Sequence, residues 1–342
     1  MLQTSEVACT DPRTDERRER YLRAYRWMLL ARVFEEKLAS LYRGGKITGG
    51  VFLSKGQEAL SAALGVALRK GDIFAPLIRD AAGRFAFGET LLDAARTCLG
   101  SRLGPMRGRE GNVHRGKPRE GYYAMISHLG AMISTVCGGL VARRFKGLTD
   151  VVGATCIGEG GTSTGSFHEA LNMASVEKLP LVLVVANNQY AYSTPTSRQF
   201  ACADLVDRAI GYGVRGHKLD GTDPRACIDV VGDAVARARA GEGPQLVVAD
   251  LLRLVGHGEH DDAHYVSHAL KVSPIGRDCL DVARAQMAAE GWMTAAQFGS
   301  LREQLQAEVE SAFATALREP PPDPSLEDWC ALATRTLSEG YE

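Results

Sequence analysis

The chain has 342 residues, 45% of them hydrophobic, enough to bury a large core in one big domain or two small ones. A net charge of -1, with arginines dispersed rather than striped, argues against nucleic acid as a partner. There is no run of about 18 apolar residues and no apolar leader core, so no membrane span or membrane partner is expected. Eight cysteines without a C-x-x-C pair read as reduced thiols of a cytoplasmic protein, not a disulfide frame or a zinc site.

In chain order, residues 1–17 read as a flexible polar arm. The spacing of Tyr21, Tyr25, Met28, Leu29, Val33 and Leu38 predicts a helix over 18–42 that stops at Gly44-Gly45, with Arg32 and Glu35 as no more than its solvated face. Residues 54–59 (SKGQEA) open a second helix that runs to Leu68 and has a packing role by default. Within 72–88 stands Arg79, whose planar fork suits a pair of phosphate oxygens. An ion pair with Asp80 or Asp72 is the plainer alternative for that arginine. Residues 104–116 are rich in glycine and arginine and form a loop carrying His114. MISHL (125–129) leads into an apolar stretch over 130–145 that reads as a small-residue helix packed in the core.

The densest signal runs from Val151 to Thr194. An apolar β-rich run to Ile157 reads as a buried parallel strand. Gly158-Glu159-Gly160-Gly161 follows as a turn that allows close backbone approach. Thr162, Ser163 and Thr164 offer caps for a helix to about Lys178, Pro180 ends it, and Leu181 to Ala186 is a second buried strand closed by Asn187-Asn188. The unit is βαβ, with an acid and an amide at carboxyl ends of strands, where open α/β sheets bind ligands. Glu159 and Asn188 supply hard oxygen ligands for magnesium, while the glycine turn and helix N-terminus supply donors for an anion, together a metal-bridged diphosphate site. A dinucleotide fold is the competing reading, although Ser163 occupies the third glycine position and amides stand where a ribose-binding acid is needed.

Residues 195–216 read as a loop and short helix, 224–240 as a crossover helix and 245–252 as a further buried strand. RLVGHGEHDD (253–262) follows that strand, where a histidine near neutrality can donate to a phosphate or relay a proton. A chemically idle polar loop remains an alternative, and a zinc site at His257, His260, Asp261 and His264 lacks recognised ligand spacing. Helices over 278–290 and 294–317 suit packing and subunit contact, and Pro320–Pro324 breaks them before a tail over 322–342.

Gly158-Glu159-Gly160, then 26 residues, then Asn187-Asn188, resembles the thiamine diphosphate signature. From about Tyr21 to Pro321, the chain resembles the alpha subunit of the decarboxylating component of pyruvate, branched-chain 2-oxo acid and acetoin dehydrogenases. That resemblance implies an α/β thiamine diphosphate-binding fold over 18–321, a mostly parallel sheet with helices on both faces. It implies cofactor contacts from Arg79, Ser127, Leu129, Gly158, Glu159, Gly160, Gly161, Asn188, Tyr190 and His257. Leu129 would prop the cofactor into its bent shape. Magnesium would take Glu159, Asn188 and the Tyr190 main-chain carbonyl, and His257 would serve catalysis. Leu77, Ile78, His114 and His128 are expected near the substrate, with a structural role equally open for His114 and no family counterpart for His128.

There are departures. Ile78 stands in place of a tyrosine, Gly258 in place of the serine phosphorylated in mitochondrial relatives, and Val266 in place of the arginine after Tyr265. The implied function is oxidative decarboxylation of a 2-oxo acid, pyruvate or branched-chain, with acyl transfer to a lipoyl group. The implied partners are a beta subunit, in an α2β2 heterotetramer, and a lipoylated acyltransferase. An acetoin-cleaving or other thiamine enzyme half, and a degenerate scaffold subunit, are the alternatives.

Overall fold

The computed structural model describes residues 12–111 and 114–326. Most of the expected arm (1–11), part of the glycine-rich loop (112–113) and most of the tail (327–342) lie outside the described residues. The elements are α1 (Pro12–Arg43), α2 (Glu58–Ala67), β1 (Ile73–Ala75), α3 (Ala81–Phe87), α4 (Leu91–Cys98), α5 (Ala131–Phe145), β2 (Gly153–Gly158), α6 (Gly165–Val176) and β3 (Leu181–Asn187). They continue with β4 (Tyr190–Ala191), β5 (Thr194–Pro195), α7 (Arg208–Gly211), β6 (Arg215–Asp220), α8 (Pro224–Arg239), β7 (Gln245–Asp250), α9 (His268–Lys271), α10 (Cys279–Ala289) and α11 (Ala295–Ala316).

Five strands form a wholly parallel sheet in the order β1-β2-β3-β7-β6. Strand alternation divides the core in two. Ala154, Val182, Val184 and Val247 face a thick layer built from α1, α2, α3, α4, α8, α10 and α11. Ile157, Leu181, Leu183, Val185 and Val248 face a thin one built mainly from α5 and α6. Both faces being covered explains why these strands read as unbroken apolar runs. Burying each large side chain contributes about 1.5–3 kcal/mol.

Five expectations change. Helix α1 begins at Pro12, six residues before the expected start at residue 18, and Arg17 pairs with Asp229. Arg32 and Glu35 are not on a solvated face: they are only 8% and 5% exposed. The Arg32 guanidinium binds Glu58 Oε1 at 2.6 Å and Asp278 through two bonds of 2.9 and 3.0 Å. Helix α5 buries one stripe, Met132, Ile133, Val136, Cys137 and Leu140, and leaves Phe145 85% exposed, so it is packed on one face and not enclosed. Strands β1 and β6 carry too little signal to be read in advance. The first has three residues; the second (RGHKLD) is the exposed sheet edge, with Leu219 its one fully buried side chain, and edges favour polar residues.

Candidate active site

Strands β2, β3 and β7 end together, Gly158 beside Ala186 and Asn187 beside Asp250. A cavity of about 440 Å³ opens there, lined by residues from α2, β2, β3, β4 and the loops around them. After Gly158 the chain makes a single 3₁₀ turn, Glu159–Ser163, before α6, whose first turn is capped by the Thr164 hydroxyl accepting from Phe167 N–H at 3.4 Å. That turn directs Glu159 inward, where it is 1% exposed. A Cβ at Gly158 would meet nothing within 4 Å, so a side chain would stand in the cavity space. At Gly160 a Cβ would come within 2.5 Å of the Ala191 Cβ, leaving no room for any other residue.

The amide pair divides its work. Asn187 Nδ2 donates to Asp250 Oδ1 at 2.6 Å and ties two strand ends together. Asn188 lines the cavity. Its N–H donates to Glu159 Oε2 at 3.3 Å, its Nδ2 to Gln57 Oε1 at 3.4 Å, and its Oδ1 accepts from Tyr190 N–H at 3.4 Å. The turn that brings these together holds Gln189 and Tyr192 at φ of 75° and 53°, left-handed conformations that cost about 1–2 kcal/mol each. Backbone strain of this kind concentrates at functional sites. Burial pushes the Glu159 carboxyl above its ordinary range, against bonds from Gln199 and Asn188 that act to lower it.

The opposite wall is cationic. Arg79 Nη2 donates to the His257 carbonyl, which removes the surface ion pair with Asp80 or Asp72 as an account of this residue. Asp80 accepts from Leu77 N–H instead, and Asp72 binds Arg239. Burial, then the neighbouring Arg253, pulls the Arg79 guanidinium down to about 10, so it stays charged at neutral pH. His257 packs against Tyr192 and Phe52 at ring distances of 4.5 and 5.5 Å. Burial, with Arg79 and Arg253 beside it, lowers its imidazole to about 4, so the ring is neutral at pH 7. The His257 backbone N–H donates to Asp261 Oδ2 at 2.6 Å. Burial raises the Asp261 carboxyl, but bonds from the Tyr265 hydroxyl and the N–H groups of His257 and Ala263 outweigh it and hold it near 2. These loop acids and histidines do not gather: His264 pairs with exposed Asp262, and among the described residues no three His, Cys, Asp or Glu side chains cluster as for a metal.

Three buried side-chain nitrogens on the cavity wall lack a hydrogen-bond partner: Arg79 Nε, Gln57 Nε2 and His257 Nδ1. Unsatisfied buried donors are rare and costly. Three around one cavity fit an anionic ligand with several oxygens. In the same cavity, the Glu159 carboxylate, Asn188 Oδ1 and Tyr190 carbonyl offer oxygens of the kind magnesium accepts. The Tyr190 carbonyl already takes a bond of 3.3 Å from Arg253 and keeps a second lone pair.

Of the residues singled out in sequence, Leu77, Ile78, Arg79, Ser127, Leu129, Gly158, Glu159, Gly160, Gly161, Asn188, Tyr190 and His257 share the cavity. His128 is exposed and does not line it. His114 reaches it only through Ser127, its Nε2 lying 2.8 Å from Ser127 Oγ. Gln57, Phe52, Tyr192 and Arg253 line it too and escaped sequence reasoning as site residues. Gln57, Tyr192 and Arg253 stood within quoted stretches; Phe52 carried no signal.

The family described as Dehydrogenase E1 component matches residues 25–325. The chain is 32% identical to the pyruvate dehydrogenase E1 component subunit alpha of Rhizobium meliloti, over 89% of this chain and 87% of that one. It is 32% identical to the alpha subunit of acetoin:2,6-dichlorophenolindophenol oxidoreductase of Cupriavidus necator, over 90% and 92%. It is 37% identical to the 2-oxoisovalerate dehydrogenase subunit alpha of Bacillus subtilis, over 70% and 74%.

Proposed function

This chain belongs to the dehydrogenase E1 component family as an alpha subunit of the 2-oxo acid dehydrogenase kind, and on that premise we propose that its cavity binds thiamine diphosphate with magnesium. The family is generally dependent on thiamine diphosphate. The observation that carries the reading is the meeting, in one cavity, of three unpartnered buried nitrogens with Glu159, Asn188 and the Tyr190 carbonyl. When bound, the cofactor supplies the electron sink for breaking the bond between the carboxylate and the oxo carbon.

The chain's residues do the rest. Arg79 and Gln57 hold the diphosphate through Nε and Nε2, joined by main-chain donors of the 159–163 turn. Glu159, Asn188 and the Tyr190 carbonyl are the residues that would hold the magnesium ion. Neutral His257 offers an unpartnered Nδ1 that can take or give one proton beside the diphosphate. Leu129 supports the thiamine, and Leu77 and Ile78 give the substrate side an apolar wall. The substrate is a 2-oxo acid, pyruvate or a branched-chain one, and the acyl group passes to a lipoylated acyltransferase in the cytoplasm.

The other half of the site comes from a beta subunit in an α2β2 assembly. In support, the cavity is open on one side, with Leu129 50% exposed. The thin layer also leaves Phe145, Val176 and Ile210 bare, as unpartnered interfaces do. Calorimetric titration of thiamine diphosphate and Mg2+ into this chain, with and without the beta subunit, tests this. Tight binding to the pair, lost in Glu159→Ala, is expected; no binding by the pair overturns it. Product analysis with 2-oxo acids and with acetoin then identifies the reaction.

A further inference from the structure

The Glu159 carboxylate is held from behind the cavity. Its Oε2 accepts from the Asn188 main-chain N–H at 3.3 Å, and its Oε1 from Gln199 Nε2 at 3.1 Å. Among the described residues, Gln199 is the one side chain that donates to this carboxylate. It does not line the cavity. It lies past β5, on the chain that leads away from Asn188 and Tyr190.

The amide has one orientation open to it. Nε2 donates a second time, to the Thr194 carbonyl at 2.8 Å. Turned over, the amide would set its oxygen against that carbonyl, which cannot donate, and would lose the donor at Glu159. Oε1 is instead buried without a partner, a cost that keeps both N–H groups on acceptors. The Gln199 carbonyl also accepts from the Ser163 hydroxyl at 2.9 Å, so this residue braces the 159–163 turn at both ends. Between those ends, a Cβ at Gly160 would lie 3.4 Å from Gln199 Oε1.

We propose that Gln199 is a positioning residue for the divalent cation, holding the Glu159 carboxylate in register with Asn188 Oδ1 and the Tyr190 carbonyl. The proposal rests on the reading of Glu159, Asn188 and Tyr190 as the metal side of the cavity. Ligating carboxylates depend on such outer donors, and losing one costs about 10–100-fold in metal affinity. Gln199 Nε2 donates to Glu159 and Thr194 and to none of Arg79, Gln57 and His257. The loss should therefore fall on the metal and spare the diphosphate side.

The test uses the full chain assembled with its beta subunit and thiamine diphosphate. Mn2+ is the probe, because it takes the same oxygen ligands as Mg2+. Electron paramagnetic resonance counts free Mn2+ and so gives its Kd, and calorimetry gives the Kd of thiamine diphosphate at saturating Mn2+. Gln199→Met keeps the side chain's length without its donors; Gln199→Asn keeps the amide but withdraws it by one methylene. Each should raise the Mn2+ Kd about tenfold and leave the thiamine diphosphate Kd and the urea midpoint unchanged. An Mn2+ Kd that stays put in both variants overturns the proposal. So does a fall in both affinities together with a lower midpoint, which marks a merely structural contact. A wild-type assembly that binds Mn2+ no better than Glu159→Ala overturns the metal reading itself, so the two failures are distinct.

Discussion

Two regions of this molecule bury polar groups at similar depth and end with opposite accounts. Behind the sheet, Arg32 is completed by Glu58 and Asp278. Glu58 Oε2 also accepts from Gly56 N–H at 2.8 Å and Cys279 Sγ at 3.3 Å. None of these atoms lacks a partner. At the strand ends, Arg79, Gln57 and His257 are placed as carefully, and each keeps a buried nitrogen unanswered. Depth of burial therefore does not separate framework from function; completeness of partnering does. A closed network holds α1, α2 and α10 together, whereas an open one holds a place for something else.

That contrast can be broken experimentally. The largest effect should come from Arg32→Ala, which strands the buried Glu58 and the half-buried Asp278 and should cost about 3 kcal/mol in urea unfolding while leaving the thiamine diphosphate Kd of surviving assembly unchanged. Glu35 is a milder test of the same region. It accepts from Ser54 N–H at 2.7 Å, and burial, then Glu58, pushes its carboxyl up to about 7. A raised folded-state value means the native chain holds the proton longer. Stability should therefore be complete below about 4.5 and fall by roughly 3 kcal/mol as pH rises to 7, then level off. Glu35→Gln should remove that slope in paired unfolding curves; an unchanged slope would place its origin elsewhere.

At the strand ends the pattern should invert. Glu159→Ala should leave unfolding unaltered, or raise the midpoint by removing a buried carboxylate, yet weaken cofactor binding about 100-fold by calorimetry. Arg79→Lys, keeping charge but losing the fork, should weaken it about tenfold. Should Glu159→Ala destabilise as much as Arg32→Ala, the distinction drawn here fails.

The same contrast explains what could be read in the sequence. The βαβ unit, the carboxyl-end placement of Glu159 and Asn188, and the terminal helices rest on local periodicity and punctuation, which a linear text preserves. Arg32 and Glu35 fall outside an apolar stripe, and a charge there reads as solvated unless its partners are known. Those partners, Glu58 and Asp278, are 26 and 246 positions away. Gln57 reads as a helix opener until Asn188, 131 positions on, meets it. The polar edge strand β6 was obscured for a different reason: exposure on one edge erases the apolar run that marks its neighbours.

Gly258 has a consequence for control. A Cβ there would lie 2.8 Å from the His260 ring and 3.4 Å from the Val51 carbonyl, so the backbone at this point is sealed under its neighbours. With no hydroxyl to esterify at Gly258, this position offers no place for a reversible phosphate mark.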